Sequence, residues 1–349
     1  MARNLVSIQR IKDIKPIDGA DRIELAQVLG WQCVVNKGSV SVGDLCAYCE
    51  IDSFLPIRDE FEFLRKSSYK NSELLGEGFR IKTMKMRGEL SQGLIITEDQ
   101  LKSMGITNYA EGDDITEQLG VKKYEIPERL TTSGTIIGGL GVEVPKTDET
   151  RIQNAEDVIK EFAGLDYYIS TKVDGSSHSI AIDRHGKFHV YGHNYEYAND
   201  GKSSFYEFVN KRFLEQKARE AMLAMGAESI TVQGEWAGPG IQKNRLQLKE
   251  GNWFVFTVIL DGIRVDLDTM LRVAEMLKAD TVMIEERGFD LPSKYPIGES
   301  LLKRAEGQYP NGGNKEGIVV RPVVPIYSSI LGTWLSLKAV SNKYLLKNG

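Results

Sequence analysis

The residue pattern predicts an α+β protein of two domains, a small all-β barrel followed by a mixed domain with antiparallel sheets and flanking helices. Three observations carry this expectation. A chain of 349 residues exceeds what one average hydrophobic core serves. Up to about residue 120, short runs rich in β-branched and aromatic residues alternate with Gly, Asp and Pro turns, as in a small barrel. After Arg151, strand-like runs such as "YYISTKVDG", "SITVQGEW", "NWFVFTVIL" and "EGIVVRP" alternate with helical ones.

Taken in order, residues 1–124 supply the strand candidates "LVSIQRIKDI", "RIELAQVLGWQCVV", "LCAYCEIDSFLPI", "GFRIKTMKMRG" and "QGLIIT". The stretch "RIKTMKMRGELSQGLI" resembles the strand and turn of OB folds in tRNA-binding proteins. Within it Arg80, Lys82, Lys85 and Arg87 put four positive charges in eight residues with no acid among them. Such a cluster suits RNA binding, and it suits a solvated strand face equally well. Residues 125–150, "EIPERLTTSGTIIGGLGVEVPKTDET", are rich in Gly, Thr and Pro without sustained period and read as a linker. Their "GGLG" lacks the GK[ST] or GxGxxG context that phosphate loops need. Residues 151–349 form the second domain. Its clearest helix is "SFYEFVNKRFLEQKAREAMLAMG", with Ser204 and Glu207 at capping-box spacing and Gly226 as the stop. Shorter helices are expected near 267–279 and 298–308.

Composition narrows the class. With 41 % hydrophobic and 27 % charged residues the chain reads as globular. A net charge of −5 and a pI near 5.6 mean that any polyanion must be met by a local patch. No apolar run approaches the roughly 18 residues a membrane helix needs, and "MARNLVSIQR" lacks a signal-peptide core, so no membrane association and a cytoplasmic location are expected. Cys33, Cys46 and Cys49 are too few for a disulfide framework, and the last two lie in "DLCAYCEID", which alternates like a strand, so buried small hydrophobes are expected rather than half a zinc site.

The chemistry concentrates in the second domain. Lys172 ends an apolar run, where burial is expected to lower its pKa and favour the neutral, nucleophilic amine. Asp174 then offers a carboxylate, and Gly175 lets the backbone turn close to a bound phosphate. Four further blocks follow in order. "TVQGEWAG" places Glu235 after a β run, "NWFVFTV" puts Phe254 and Phe256 on one strand face, "KEGIVVRP" puts Glu316 at a strand start, and "WLSLKAV" ends a strand with Lys338. Together they supply a nucleophile, carboxylates for a metal, an aromatic platform and a phosphate-neutralising lysine.

This series resembles motifs I, III, IIIa, IV and V of the covalent nucleotidyltransferases, the superfamily of ATP-dependent ligases and mRNA capping enzymes. It is most similar to RNA ligases of the Deinococcus and Naegleria type, which carry an OB domain in front; "PKTDETRIQNAEDV" and "LKAVSNKYLLK" are similar to that branch specifically. The resemblance implies an OB-fold barrel followed by an adenylyltransferase domain, ATP as substrate, and Mg2+ or Mn2+. It also implies that Lys172 takes AMP as a phosphoramidate. Thr171, Gly175, Asn194, Glu235, Phe254 and Lys338 would contact the nucleotide. Asp174, Glu235 and Glu316 would organise the metal through waters, and Lys338 would neutralise the α-phosphate. AMP would pass to a 5′-phosphorylated RNA end, which a 3′-hydroxyl would then attack, sealing ends or a nicked duplex in RNA repair. The expected partners are RNA and ATP, and the expected state is a monomer.

Domain order bears on the alternatives. DNA ligases and capping enzymes place an OB domain after the transferase domain, whereas eleven residues follow Lys338 here. A DNA ligase, or an RNA-binding protein with a vestigial transferase fold, are the competing readings; the second is disfavoured because every motif residue is present. Three positions depart from the family pattern. His193 stands where many RNA ligases have an arginine, beside a retained Asn194; Ser336 replaces the first of two motif V lysines; and Thr257 replaces an aspartate after motif IIIa. The histidines His178, His185, His189 and His193 are expected to be structural or RNA-facing rather than zinc ligands. Lys243 and Arg245 are expected to face RNA or ATP phosphates.

Overall fold

The computed structural model describes residues 4–125 and 134–348. The chain divides into two compact units: Met1–Pro127 with Gln153–Glu156 and Leu345–Gly349, and Glu128–Ile152 with Asp157–Tyr344. Among the described residues no helix is long and apolar enough to cross a membrane.

The first unit is a curled antiparallel structure. Its strands are β1 (Val6–Pro16), β2 (Ile23–Val28), β3 (Trp31–Asn36), β4 (Leu45–Cys49), β5 (Ser53–Leu55), β6 (Tyr69–Ser72), β7 (Gly76–Arg80), β8 (Thr83–Met86), β9 (Glu89–Gln92), β10 (Leu94–Thr97) and β11 (Lys122–Lys123). One sheet runs β10-β4-β1-β2-β3, a second runs β11-β5-β7-β6, and β8 and β9 form a hairpin. A register shift between Ile11 and Asp13 bends β1, the bulge by which one strand turns a corner. Ile8, Phe61 and Phe79 fill one core cluster and Ile11, Trp31 and Tyr48 another. Cys33, Cys46 and Cys49 are free and buried, and burial first of all pushes their thiols up, Cys46 to about 12. They are unreactive packing groups.

The second unit is built on two sheets. The larger runs β12-β17-β16-β15-β18-β19-β20, with β21 parallel to β19. It comprises β12 (Ile136–Gly139), β15 (Ser176–Ile182), β16 (Phe188–Tyr191), β17 (Tyr195–Tyr197), β18 (Ile230–Ala237), β19 (Asn252–Leu260), β20 (Ile263–Arg264) and β21 (Asp280–Thr281). The other sheet, in the order β13-β26-β23-β14-β22, comprises β13 (Thr150–Arg151), β14 (Asp166–Lys172), β22 (Ile284–Phe289), β23 (Gly317–Pro322) and β26 (Leu337–Val340). Between the last two in sequence lies a short hairpin of β24 (Tyr327–Ser328) and β25 (Thr333–Trp334). The helix Leu267–Leu277 joins the core cluster through Met270, Val273 and Leu277. In the same cluster, Phe205 meets Trp236 and Trp253 edge-on at ring-centroid distances of 5.4 and 5.5 Å.

Two expectations are corrected here. The segment 125–150 is not a connector where it is described. Gly138 pairs with Glu196, placing β12 at the edge of the larger sheet, and the Thr147 hydroxyl meets that of Ser177 at 2.9 Å. Residues 126–133 lie outside the described residues. A strand made by pairing with a distant partner leaves no local period, so Gly and Thr content alone misassigns it. The long helix is two, Ser204–Lys211 and Leu214–Ala224, because Phe213 adopts a left-handed conformation with φ of 53°. The cap of the first is Ser203, whose hydroxyl accepts from the Tyr206 N–H. The later helices span Leu267–Leu277 and Gly298–Ala305, close to expectation.

Phe205 is wholly buried between two tryptophans and His178. Phe205→Ala is expected to lower the stability of this unit by about 3–5 kcal/mol in denaturant unfolding.

Candidate active site

Lys172 is the last residue of β14 and Gly317, the first of β23, lies opposite it. That register sets Glu316 beside the lysine, and Lys172 Nζ is 2.8 Å from Glu316 Oε1. The ladder also fixes faces. Ser170 pairs with Val319, and Val319 with Lys338, so Lys338 shares the sheet face of Ser170 and Lys172. The Lys338 ammonium lies 3.9 Å from Asp148 Oδ1. On the larger sheet Glu235 pairs with Phe254, and Phe254 packs with Val173, Ala237 and Val282.

Two glycines make these close approaches possible. A Cβ on Gly317 would stand 2.1 Å from the Ala339 carbonyl oxygen, and one on Gly175 would stand 2.5 Å from that of Trp236. Gly175 was expected to approach a phosphate; it is required first of all by its contact with β18, and its N–H bonds to Glu235.

The electrostatics correct the expected behaviour of Lys172. Burial disfavours its charge, but Glu316, Glu235 and Asp174 together outweigh burial and hold the ammonium above its ordinary range. A buried amine loses its proton easily only when no carboxylates face it. The acids show the converse. Burial raises Glu235, and the repulsion of Glu316 and Asp174 helps push it up to about 8 despite Lys172. Asp174 is also raised, by burial and then by Glu316.

Each Asp174 oxygen has a partner. Tyr344 donates to Oδ1 at 2.7 Å and Arg245 Nε lies 3.0 Å from Oδ2. Arg245 was expected to face phosphates; it is turned inward, its guanidinium also 4.9 Å from the centre of the Tyr344 ring. Lys243 is exposed. Thr171, expected at the nucleotide, uses the opposite strand face. Its hydroxyl donates to Glu285 at 2.6 Å, and Glu285 also binds Lys315 at 2.8 Å and Arg304 at 2.7 Å. Asn194 is half-buried in the turn between β16 and β17, beside His193.

Sequence reasoning missed Tyr309, Glu285 and Arg321. Tyr309 carries the faintest signal, a single aromatic in the loop "EGQYPNGGNK" ahead of Glu316. Arg321 gathers two of the family departures, donating to Ser336 Oγ at 3.0 Å and to Thr257 Oγ1 at 3.1 Å, and it pairs with the half-buried Glu149.

Among the described residues no set of three His, Cys, Asp or Glu side chains converges to ligate an ion directly. His178 is buried and pushed down to about 4 by that burial, so it is neutral. His189 lies 2.7 Å from Glu196 and 3.3 Å from Asp183.

In the first unit the basic group is divided. Arg80 lies 3.2 Å from Asp52 and stacks over Tyr124, while Lys85 and Arg87 are exposed on the β8–β9 hairpin and Lys82 is half-buried just before it. Arg87 and Gly88 form the turn, both with positive φ.

These two units match known families. An OB-fold domain model covers residues 5–97, and the RNA ligase family model covers residues 165–340, half of the chain. The chain belongs to the RNA ligase family. It is similar to the solved structure of a Naegleria gruberi RNA ligase mutant with ATP and Mn, at 29 % identity and a TM-score of 0.86 over 98 % of each chain. A second mutant of that ligase, with AMP and Mn, and the ligase with PPi give the same identity and TM-score over 99 % of each chain. A search of curated proteins returned no match.

The raised carboxyl of Glu235 carries a pH signature. Its folded pKa of about 8 exceeds the ordinary 4.5, so its contribution to stability is present below about pH 4.5 and is lost as pH rises through 8. Denaturant unfolding without divalent cation is expected to show that loss in the wild type and to show less of it in Glu235→Gln.

Proposed function

We propose that this protein is an ATP-dependent RNA ligase that seals 5′-phosphate and 3′-hydroxyl RNA ends through a covalent lysyl-AMP. The observation that carries the reading is Lys172, 2.8 Å from Glu316 at the end of β14 and surrounded by carboxylates, in a chain of the RNA ligase family. It is further supported by similarity to a ligase solved with ATP, AMP and PPi.

In the first step the neutral Lys172 amine attacks the α-phosphorus of ATP. A P–N bond forms, the bond to the bridging oxygen breaks, pyrophosphate leaves and the amine gives up its proton. Phe254 stacks on the adenine, with Glu235 contacting the nucleoside and Asn194 the ribose. Lys338 meets the charge that builds on the α-phosphate. A 5′-phosphate oxygen of RNA then takes AMP from the lysine, and a 3′-hydroxyl displaces AMP to leave a phosphodiester. The exposed Lys85 and Arg87 of the first unit contact the RNA backbone. The chain acts as a monomer, in RNA repair.

The donor set fits a hydrated Mg2+ or Mn2+: three carboxylates face one ammonium, and Glu235 and Asp174 are raised by burial first and then by the neighbouring carboxylates. Glu316, Glu235 and Asp174 would hold the ion through its waters. When bound it supplies positive charge that competes with Lys172 for these carboxylates and thereby favours the neutral amine.

The test is incubation with α-labelled ATP and a divalent cation followed by a denaturing gel. Wild type is expected to carry label and Lys172→Met none; an unlabelled wild type, or a labelled Lys172→Met, removes the proposal. Lys338→Ala is expected to slow labelling by about 100-fold. Sealing of nicks with RNA or DNA at the 3′-hydroxyl side separates an RNA ligase from a DNA ligase, and RNA is expected to be required there.

A further inference from the structure

The Tyr309 hydroxyl makes three hydrogen bonds to the backbone around Lys172. It donates to the Lys172 carbonyl at 2.7 Å, and it accepts from the N–H of Asp174 at 3.0 Å and from that of Glu316 at 3.1 Å. One donor and two acceptor positions are all that a phenol has, so its capacity is fully used. The residue is 4 % exposed.

The loop that delivers Tyr309 is itself fixed. Lys315 N–H bonds to the Gly307 carbonyl at 3.0 Å, and Gln308 bridges to Asn314 across its neck. Gly313 N–H bonds to the Arg245 carbonyl at 2.9 Å, and the Arg245 side chain faces Asp174. A Cβ on Gly312 would meet that same carbonyl oxygen at 1.8 Å, so a bulkier residue there would force the loop away from Arg245. The loop thus reaches Asp174 twice, through the phenol to its backbone and through Arg245 to its carboxylate.

We propose that Tyr309 is a positioning residue for the ligase reaction: its hydroxyl pins the two backbone segments that carry Lys172 with Asp174, and Glu316, at fixed mutual distances. β14 and β23 are paired at Lys172 and Gly317, but Asp174 lies past the end of β14 and Glu316 before the start of β23. The β14–β23 ladder does not reach these two residues, and β26 holds Glu316 only from its other side, where its carbonyl accepts from the Ser341 N–H at 2.8 Å. Towards β14 the phenol oxygen takes the ladder's place, bonding both and tying them to the lysine's own carbonyl. Tyr309 touches no reacting atom in this scheme; it acts through the groups it places. The proposal rests on the reading of Lys172 as nucleophile.

Tyr309→Phe keeps the ring and leaves two N–H groups and one carbonyl without their partner. At saturating labelled ATP and divalent cation, single-turnover formation of lysyl-AMP is expected to fall about 100-fold, the scale of a displacement near 1 Å, with the ATP concentration for half-maximal rate little changed. In the same variant the amide protons of Asp174 and Glu316 are expected to lose protection from hydrogen exchange. Tyr295→Phe is the control, since its hydroxyl is equally internal but donates to Glu286 at 2.9 Å, away from the lysine. It is expected to label at the wild-type rate.

A Tyr309→Phe protein that labels as fast as wild type, or slows no more than Tyr295→Phe, overturns the inference. So does unchanged exchange at both amides. If wild type itself takes no label, the nucleophile reading falls, and the exchange data still decide whether Tyr309 holds these segments. Should Tyr309→Phe fail to fold, 3,5-difluorotyrosine at 309 keeps the shape and weakens the oxygen as acceptor. Faster exchange of both amides then supports the pin, and unchanged exchange rejects it.

Discussion

The ion pair between Lys172 and Glu316 is the interaction around which the second unit is arranged. It sits where β14 ends and β23 begins, at 2.8 Å, with Glu235 and Asp174 close enough to add to the field on the ammonium. Taking charges out of water is costly unless each is met by partners, and the surroundings supply them. Arg245 and Tyr344 hold the Asp174 carboxylate, Tyr309 holds the backbone, and bare glycines at 175 and 317 let the strands approach. The outcome is a lysine kept protonated at rest. Under the proposed function, the amine becomes nucleophilic only when these carboxylates are engaged elsewhere, which ties it to the arrival of positive charge.

A second buried charge organises the far end of the same sheet. Arg321 lies opposite Tyr168, four residues along β14 from Lys172. Its guanidinium reaches Glu149, the Phe256 carbonyl and the hydroxyls of Thr257 and Ser336. Thr257 and Ser336 are two of the positions where the chain departs from the family pattern, and here one arginine joins them. Small hydroxyls are compatible with that arrangement, since a lysine at 336 would set a second cation beside the guanidinium. The departures are therefore coupled through a shared partner, and they leave Lys338 as the cation on the lysine's face of β26.

Much of the site was legible because each part has a local cause. Lys172, Glu235, Phe254, Glu316 and Lys338 each sit in or at the end of an apolar run, and strand alternation tells which neighbours share a face. The less legible parts depend on pairing across the chain. Thr171 is next to Lys172 in sequence yet serves Glu285 on the opposite face, 114 residues away. Arg245 is expected from the sequence to face phosphates, and the fold instead turns it inward to Asp174, 71 residues away. The β12 segment looked like a connector because its partner β17 lies far along the chain. The break at Phe213 left no Gly or Pro to mark it.

The sequence by itself determined the two-domain α+β class, many of the strand runs along the chain and the kinship with ligases, because these reside in residue type and short-range period. The tertiary structure decided the protonation of Lys172. An apolar run predicts a lowered amine pKa, but the sign is set by how many carboxylates come within reach, and those arrive from Asp174, Glu235 and Glu316 on separate segments. It also placed the Tyr309 hydroxyl, which can bond the Lys172–Asp174 backbone and the Glu316 N–H together only after the chain has brought these segments together.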